Sequence, residues 1–303
     1  MGVKEVLGID IGGTYIRAGM VAGFNRLNHF AMDSSAALFY GGGSPIGALA
    51  DYILRYVEKN LGGDKPAAVS LGFPSAVSKD KTTLYSTPNL PGLNDLDVVA
   101  PLKEILGIPV FMDRDVNHLL LFDTGENAIH TDSGIIIGYY VGTGLGNAIM
   151  IDGKLLTGKN GVAAELGHVS VKGREAICGC GKAGCYETIV SGRYLEKLAS
   201  EQYPGESVRD IFVRHRDDAV LMDYVDWLAI PLAAEINIFD PDYVILGGGV
   251  LQMKGFPTEK LTESVHAYTR KPEPDGSLKI IFSSGKQESG VVGAGISGIN
   301  KMK

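Results

Sequence analysis

The 303-residue chain carries a formal charge of −7, which argues against a nucleic-acid binder, since such proteins meet phosphate with a basic face. Its length predicts about two domains, each able to bury a core. Apolar runs such as GIIIGYYVG fall well short of the roughly 20 residues that a membrane-spanning helix needs. The opening MGVKEVLGID has no cationic and apolar leader, so a cytoplasmic location with no membrane partner is expected. Glycine is in excess at 41 residues, nearly double its usual share of about 7%, and it gathers in discrete loops.

In chain order, EVLGIDIGGTYIRAGMV predicts two strands joined by a Gly-rich turn, because apolar residues alternate on both sides. GGGSPIGALADYILRYVEKNLGG predicts a helix. Ser44 can cap it, Pro45 suits its first turn, Ile46, Leu49, Ile53 and Val57 share a face, and Gly62 stops it. AAVSLGFPSAV is expected as a buried strand, and DLDVVAPLKEILG as a helix feeding the strand IPVFMDRDVN. GIIIGYYVGTGLGNAIMIDGKLL repeats the opening theme of strand, glycine turn and strand, with a further turn at Asp152-Gly153. A long helix around VDWLAIPLAAEINIF, kinked or begun by Pro231, leads into the strand DYVILGGGV. Strands alternating with helices indicate an α/β architecture, and the repeated strand–turn–strand theme suggests a duplicated domain.

Three glycine loops have the chemistry of anion binding, because bare backbone can bend until successive N–H groups face one point. In DIGGT, Thr14 adds a hydroxyl, and Asp10 at the strand end is placed to hold Mg²⁺ through water. GTGLG (Gly142 to Gly146) interleaves glycine with Thr143 between two apolar strands. The segment after it reads as a strand, which argues against a dinucleotide-binding βαβ fingerprint. ILGGGV, with Gly247, Gly248 and Gly249, is a third turn against which a flat ring could lie. In that order the three loops resemble the sugar kinase, Hsp70 and actin superfamily. The resemblance implies an actin-like ATPase fold of two lobes with a duplicated ribonuclease H-like core, clamping ATP in a cleft. It also implies that Gly12, Gly13, Thr14, Gly142, Thr143 and Gly144 bracket the β- and γ-phosphates while Gly247 and Gly248 border adenosine.

All three cysteines of the chain, Cys178, Cys180 and Cys185, lie in AICGCGKAGCYET. With His168 they make a Cys₃His set suited to tetrahedral Zn²⁺. The Cys-x-Cys spacing is tighter than that of an ordinary finger, and a redox pair favours Cys-x-x-Cys, which is absent. Four protein ligands leave no open position, so the metal is expected to be structural and to fix the neighbouring Glu165 and Glu187. In FMDRDVNHLL, Asp113 and Asp115 are both candidates for a general base, and the residues alone do not separate them.

GVAAELGHVSV followed by CGCGKAGCYET is similar to the zinc motif of the ROK family (repressors, open reading frames and kinases). This resemblance implies an ATP-dependent hexose 6-kinase in which Glu165, His168 and Glu187 contact the sugar and His168 also binds zinc. It selects Asp115 as the base, and it makes Asn89 and Arg114 sugar-lining residues. Arg114 replaces an Asn of the family motif and brings only donors; Ala164 replaces a Gly, and Leu93 a Trp. GFPSAVSKDKTTLYSTPNLP, RDVN and FDPDYVILGGGV resemble a subgroup that implies D-allose as acceptor. The family pattern further implies a homodimer, a first lobe over 1–115, a second over 116–285, and a C-terminal helix over 286–303 returning to the first. A repressor of the family needs a DNA-reading module ahead of the sugar domain; with LGIDIGGT starting at Leu7, a repressor role is not expected.

Overall fold

The structure is a computed structural model that describes residues 5–24, 26–40, 43–87, 90 and 92–303. It divides into two units. The first comprises Met1–Ile129, Thr157–Ala163 and Lys286–Lys303, and the second His130–Leu156 and Ala164–Gly285.

In the first unit, β1 (Val6–Ile11), β2 (Tyr15–Val21) and β3 (Leu27–Ser34) precede α1 (Ser35–Phe39) and α2 (Pro45–Leu61). Then follow β4 (Ala68–Phe73), the short β5 (Ala76–Val77), β6 (Thr83–Ser86) and β7 (Leu96–Asp97), α3 (Val99–Leu106), β8 (Val110–Arg114) and α4 (Asp115–Glu126). The main sheet has the order β3-β2-β1-β4-β8. The three leading strands are antiparallel and the last two add in parallel. Strand β1 is apolar almost without alternation because both faces of this central strand, paired antiparallel with β2 and parallel with β4, are covered. Helix α2 starts and stops as its sequence predicts: the Ser44 side chain accepts from Gly47 N–H, and Gly62 closes the helix with φ 60°.

The second unit contains β9 (Ile135–Val141), β10 (Leu145–Ile151), β11 (Lys154–Leu155), α5 (Glu187–Val190), α6 (Gly192–Gln202), α7 (Ile211–Arg214) and α8 (Ala219–Phe239). Strand β12 (Tyr243–Gly247), α9 (Thr258–Tyr268) and β13 (Ile280–Phe282) complete it. Its sheet order, β11-β10-β9-β12-β13, repeats the first, again with three antiparallel strands followed by two parallel ones. The duplication suggested by the repeated glycine turn is therefore present in the topology. Pro231 does not start α8, which begins at Ala219 under the side chain of Asp218. Pro231 lies inside the helix, and in the turn before it Leu228 O accepts from the Tyr139 hydroxyl at 2.9 Å.

The final helix, α10 (Ser289–Lys301), belongs to the first unit and packs there at backbone distance. A Cβ on Gly8 of β1 would collide with Val291 O, and one on Gly293 with His118 O of α4. This explains why the first unit runs past the expected boundary at Asp115 to Ile129: α4 is clamped to α10. The unit also takes in 157–163, where Gly161 sits so close to the Val77–Lys79 turn that a Cβ would come within 2.7 Å of Lys79 N. Among the described residues no helix is long and apolar enough to cross a membrane.

The core of the second unit encloses one carboxyl. Glu235 of α8 is 4% exposed and accepts from Asn147 Nδ2 of β10 at 2.9 Å. Burial pushes its pKa up to about 8, with the Asn147 bond pulling the other way. An acid whose pKa is raised on folding binds its proton more tightly in the native state, so stability must fall as pH rises between the two values. Between pH 4.5 and about 8 the wild type should lose up to about 1.4 kcal/mol per pH unit from this group. Glu235→Gln should remove that slope, so that any deficit relative to wild type is largest at pH 5 and shrinks or reverses by pH 8 in urea titrations.

Candidate functional site

The β1–β2 hairpin carries DIGGT. Gly12 N–H donates to Tyr15 O at 2.8 Å, which closes the turn, and Ser35 Oγ donates to Gly12 O at 2.6 Å. Gly13 and Thr14 are exposed at its tip. The Gly12 amide is thus taken up by the hairpin, and the groups this loop presents are those of Gly13 and Thr14. Asp10, at the end of β1, receives Arg17 Nη1 on Oδ2 at 3.2 Å. Burial pushes the Asp10 carboxyl up, against the pull of Arg17. A Cβ on Gly290 would lie 2.6 Å from Asp10 Cγ, so the start of α10 is bare where it meets this side chain.

At the β8–α4 junction the two aspartates that the residues alone do not separate have different surroundings. Asp113 is buried, and its Oδ1 accepts from Arg114 N–H at 2.8 Å, Asn117 Nδ2 at 2.6 Å and Lys81 Nζ at 2.8 Å. Burial alone would raise this carboxyl, yet Lys81, with support from His118 and Lys301, holds it below the ordinary value. Asp115 is the first residue of α4, half-buried, with Oδ1 accepting from Val116 N–H at 2.8 Å. Arg114 is buried, and its Nη1 donates to Ala163 O at 2.8 Å. Asn89 lies outside the described residues. Leu93 is in the core of the first unit.

In the second unit the GTGLG turn is tied to the segment after the cysteines. Gly192 N–H donates to Gly142 O at 2.8 Å and Arg193 N–H to Thr143 O at 3.2 Å. Leu145 N–H donates to Glu187 Oε2 at 3.0 Å. A Cβ on Gly144 would strike that same carboxylate. Thr143 is exposed at the tip. Glu187, expected only as a sugar contact, therefore also braces the glycine turn; nothing in its sequence neighbourhood signals that bond across 42 residues. Gly248, with φ 95°, passes so close to Val141 O that no side chain fits, and Gly247 lies against Tyr140. Gly249 is exposed in open space.

His168, Cys178, Cys180 and Cys185 bring their donor atoms within 4.8 Å of one another. Two bridges, Ser170 to Cys185 and Ile177 to Ala183, fold the loop back on itself, and Gly181 and Gly184 take the positive φ angles of its turns. Cys180 Sγ and Cys185 Sγ are 3.7 Å apart, and Cys178 Sγ is 3.6 Å from His168 Nδ1. A tetrahedral zinc site with Zn–S of about 2.3 Å and Zn–N of about 2.0–2.1 Å has edges of about 3.8 and 3.6 Å, so this donor set fits. The other ring nitrogen, His168 Nε2, is 3.5 Å from Glu165 Oε2, the arrangement by which a carboxylate orients a metal-binding imidazole. Both ring nitrogens of His168 thus have protein partners.

Sequence reasoning missed Lys81. It sits in the β5–β6 turn, 32 residues from Asp113, and nothing in VSKDKT separates it from Lys79 or signals a partner so far along the chain.

The model of the ROK family matches residues 6–297. The glucokinase of Thermotoga maritima is 27% identical over 314 residues, covering 96% of both chains. The N-acetylmannosamine kinase of Salmonella arizonae is 26% identical over 295 residues, covering 96% of this chain and 97% of the relative. The crystal structure of a ROK family glucokinase from Streptomyces griseus with glucose and AMPPNP superposes with a TM-score of 0.79 at 27% identity, covering 97% of this chain and 98% of the other.

The glycine positions separate by the space around them. Gly144→Ala should drive Glu187 off Leu145 N–H and destabilise the protein by about 1–3 kcal/mol in urea unfolding. Gly249→Ala should stay within about 0.5 kcal/mol of wild type.

Proposed function

Because the chain belongs to the ROK family and is, like its relatives, an ATP-dependent sugar kinase, we propose that it transfers the γ-phosphoryl group of ATP to the 6-hydroxyl of a hexose of the glucose or N-acetylmannosamine kind. The β8–α4 junction carries this reading. Asp113 has Oδ1 committed to three donors, whereas Asp115 stands half-buried at the helix start. Asp115 then takes the proton from the attacking hydroxyl, the O–P bond forms, and ADP leaves. The exposed tips at Gly13, Thr14 and Thr143 serve the phosphates, and Gly247 to Gly249 the adenosine. Asp10 Oδ1, opposite the oxygen paired with Arg17, would hold Mg²⁺ through water. The ion, when bound, neutralises charge on the phosphates.

The reading gives the second unit the task of orienting sugar hydroxyls. Glu165 and Glu187 supply the carboxylates, with Glu187 anchored through Oε2; His168 acts through Glu165, its other nitrogen facing Cys178. We assign Zn²⁺ to His168, Cys178, Cys180 and Cys185 as a closed structural site. A homodimer in the cytoplasm belongs to the same reading, on the family resemblance alone.

D-allose, the acceptor expected from the sequence, is the second reading. Arg114 supports it: a donor-only side chain next to Asp115 would suit a hydroxyl placed to accept, although Nη1 already serves Ala163 O. The named relatives support glucose or N-acetylmannosamine instead.

A coupled ADP-release assay over glucose, N-acetylmannosamine, mannose, allose and fructose decides between them. Glucose or N-acetylmannosamine should give the highest kcat/KM. A preference for allose would favour the second reading, and ADP release independent of any sugar would defeat both. Asp115→Asn should lose about 10²–10⁴ in kcat while still folding and binding sugar. Metal analysis should find one zinc per chain, lost in Cys180→Ser together with thermal stability.

A further inference from the structure

Lys81 is a non-glycine residue at φ 60°, a conformation that side chains other than glycine seldom adopt. Its turn is held rigidly. Lys81 N–H donates to Ser78 O at 2.9 Å, Ser78 Oγ donates to Asp80 Oδ1 at 2.6 Å, and Ser78 Oγ accepts from Thr83 N–H at 3.0 Å. The turn therefore aims one ammonium at one oxygen, Asp113 Oδ1, at 2.8 Å, with the two side chains only 14% and 7% exposed.

The same oxygen accepts from the backbone of Arg114, immediately before Asp115, and from the side chain of Asn117, two residues after it. The chain that carries Asp115 is thus gripped on both sides by one atom. Behind it, a Cβ on Gly72 of β4 would lie 3.5 Å from Asp115 Cα and 2.8 Å from His118 Nδ1, so the junction is backed closely by the sheet. Taking Asp115 as the base, as read above, we propose that Lys81 is a positioning residue for phosphoryl transfer, acting through Asp113 to fix the helix start from which Asp115 reaches the sugar.

Every charged group packed around Asp113 bears on this role. Lys81 faces it from the β5–β6 turn and Lys301 from α10, where its Nζ donates to Met112 O at 3.2 Å. His118 faces it from α4; burial pushes that imidazole down to about 4, so it is neutral near pH 7. The Arg114 guanidinium is directed to Ala163 O. Among the described residues Lys81 is the one cation bonded to the carboxylate itself. Without it Asp113 takes up a proton at higher pH, weakens as an acceptor, and releases Arg114 N–H and Asn117 together.

The test compares Lys81→Met, Lys81→Arg and the uncharged pair Lys81→Met/Asp113→Asn with wild type, by kcat, sugar KM, the acid limb of the kcat profile and the melting temperature. Lys81→Met should lose about 10–100-fold in kcat, the scale of an ångström-sized misplacement. Its sugar KM should change less than about threefold, and its acid limb should move to higher pH. Lys81→Arg should recover most of the rate. The uncharged pair should regain the melting temperature but not kcat, and it carries the test should Lys81→Met fold poorly. Wild-type kcat and acid limb in Lys81→Met, or full recovery of kcat by the uncharged pair, would overturn the proposal. Asp115→Asn in the same assay separates the two ideas. Loss of turnover there beside an unaffected Lys81→Met removes only the role of Lys81, whereas an active Asp115→Asn removes the base assignment itself.

Discussion

The first unit depends on bare glycine backbone where its elements meet. Gly8, Gly72 and Gly293 each stand where a Cβ would collide with a neighbouring element: α10 on β1, α4 on β4, and α10 on α4. Close approach of this kind multiplies weak dispersion contacts. It also removes the slack that side chains would leave between elements. The consequence reaches the site directly. Helix α4 starts at Asp115, so clamping α4 between β4 and α10 sets the position from which that carboxylate emerges. Glycine, which costs entropy on folding, is used here to gain placement.

The second unit reaches the same end by another device. Its cysteine loop has little apolar core: Ile177 is 75% exposed, two isolated bridges fold the loop back, and four donors converge within it. Two residues beyond the last cysteine, Glu187 accepts the Leu145 amide and fills the space that a side chain on Gly144 would need. A single carboxylate thus connects the metal-type cluster to the glycine turn of the β9–β10 hairpin. The Leu145–Glu187 bond holds the backbone of a hairpin that is exposed at Thr143.

Much of this was legible in the sequence because its determinants are local. The two hairpins, the capped ends of α2 and the Cys₃His set all rest on residues within a few positions of one another, where spacing dictates geometry. What was not legible rests on pairs far apart in the chain. Glu235 and Asn147 are 88 residues apart, and Lys81 and Asp113 are 32. Segment 157–163 joins the first unit through Arg114 and Gly161, although its neighbours on both sides belong to the second. Pro231 drew attention away from the true start of α8, because a strong local signal for a helix boundary was overridden by the Asp218 cap and the buried packing on either side. The choice between Asp113 and Asp115 was of the same kind. Both are acids at a strand-to-helix junction; the family resemblance points to Asp115, and the donors gathered around Asp113 Oδ1 are a difference that the residues alone do not show.

That set of donors is costly by itself. Lys81 and Asp113 are largely buried, and among the described residues neither ring nitrogen of the enclosed His118 has a hydrogen-bond partner. Desolvating such groups commonly offsets their mutual attraction, so that a well-packed apolar cluster in the same volume is as stable or more so. Stability therefore does not account for the arrangement. Direction does: apolar side chains fill space but do not select one backbone trajectory, whereas Asp113 Oδ1 accepts from three donors only when Arg114, Asn117 and the Lys81 turn are all in register. The left-handed backbone at Lys81 points the same way, since strain is tolerated where the surrounding structure over-determines it. A polar cluster of this kind, beside the helix start that carries Asp115, is an investment in geometry.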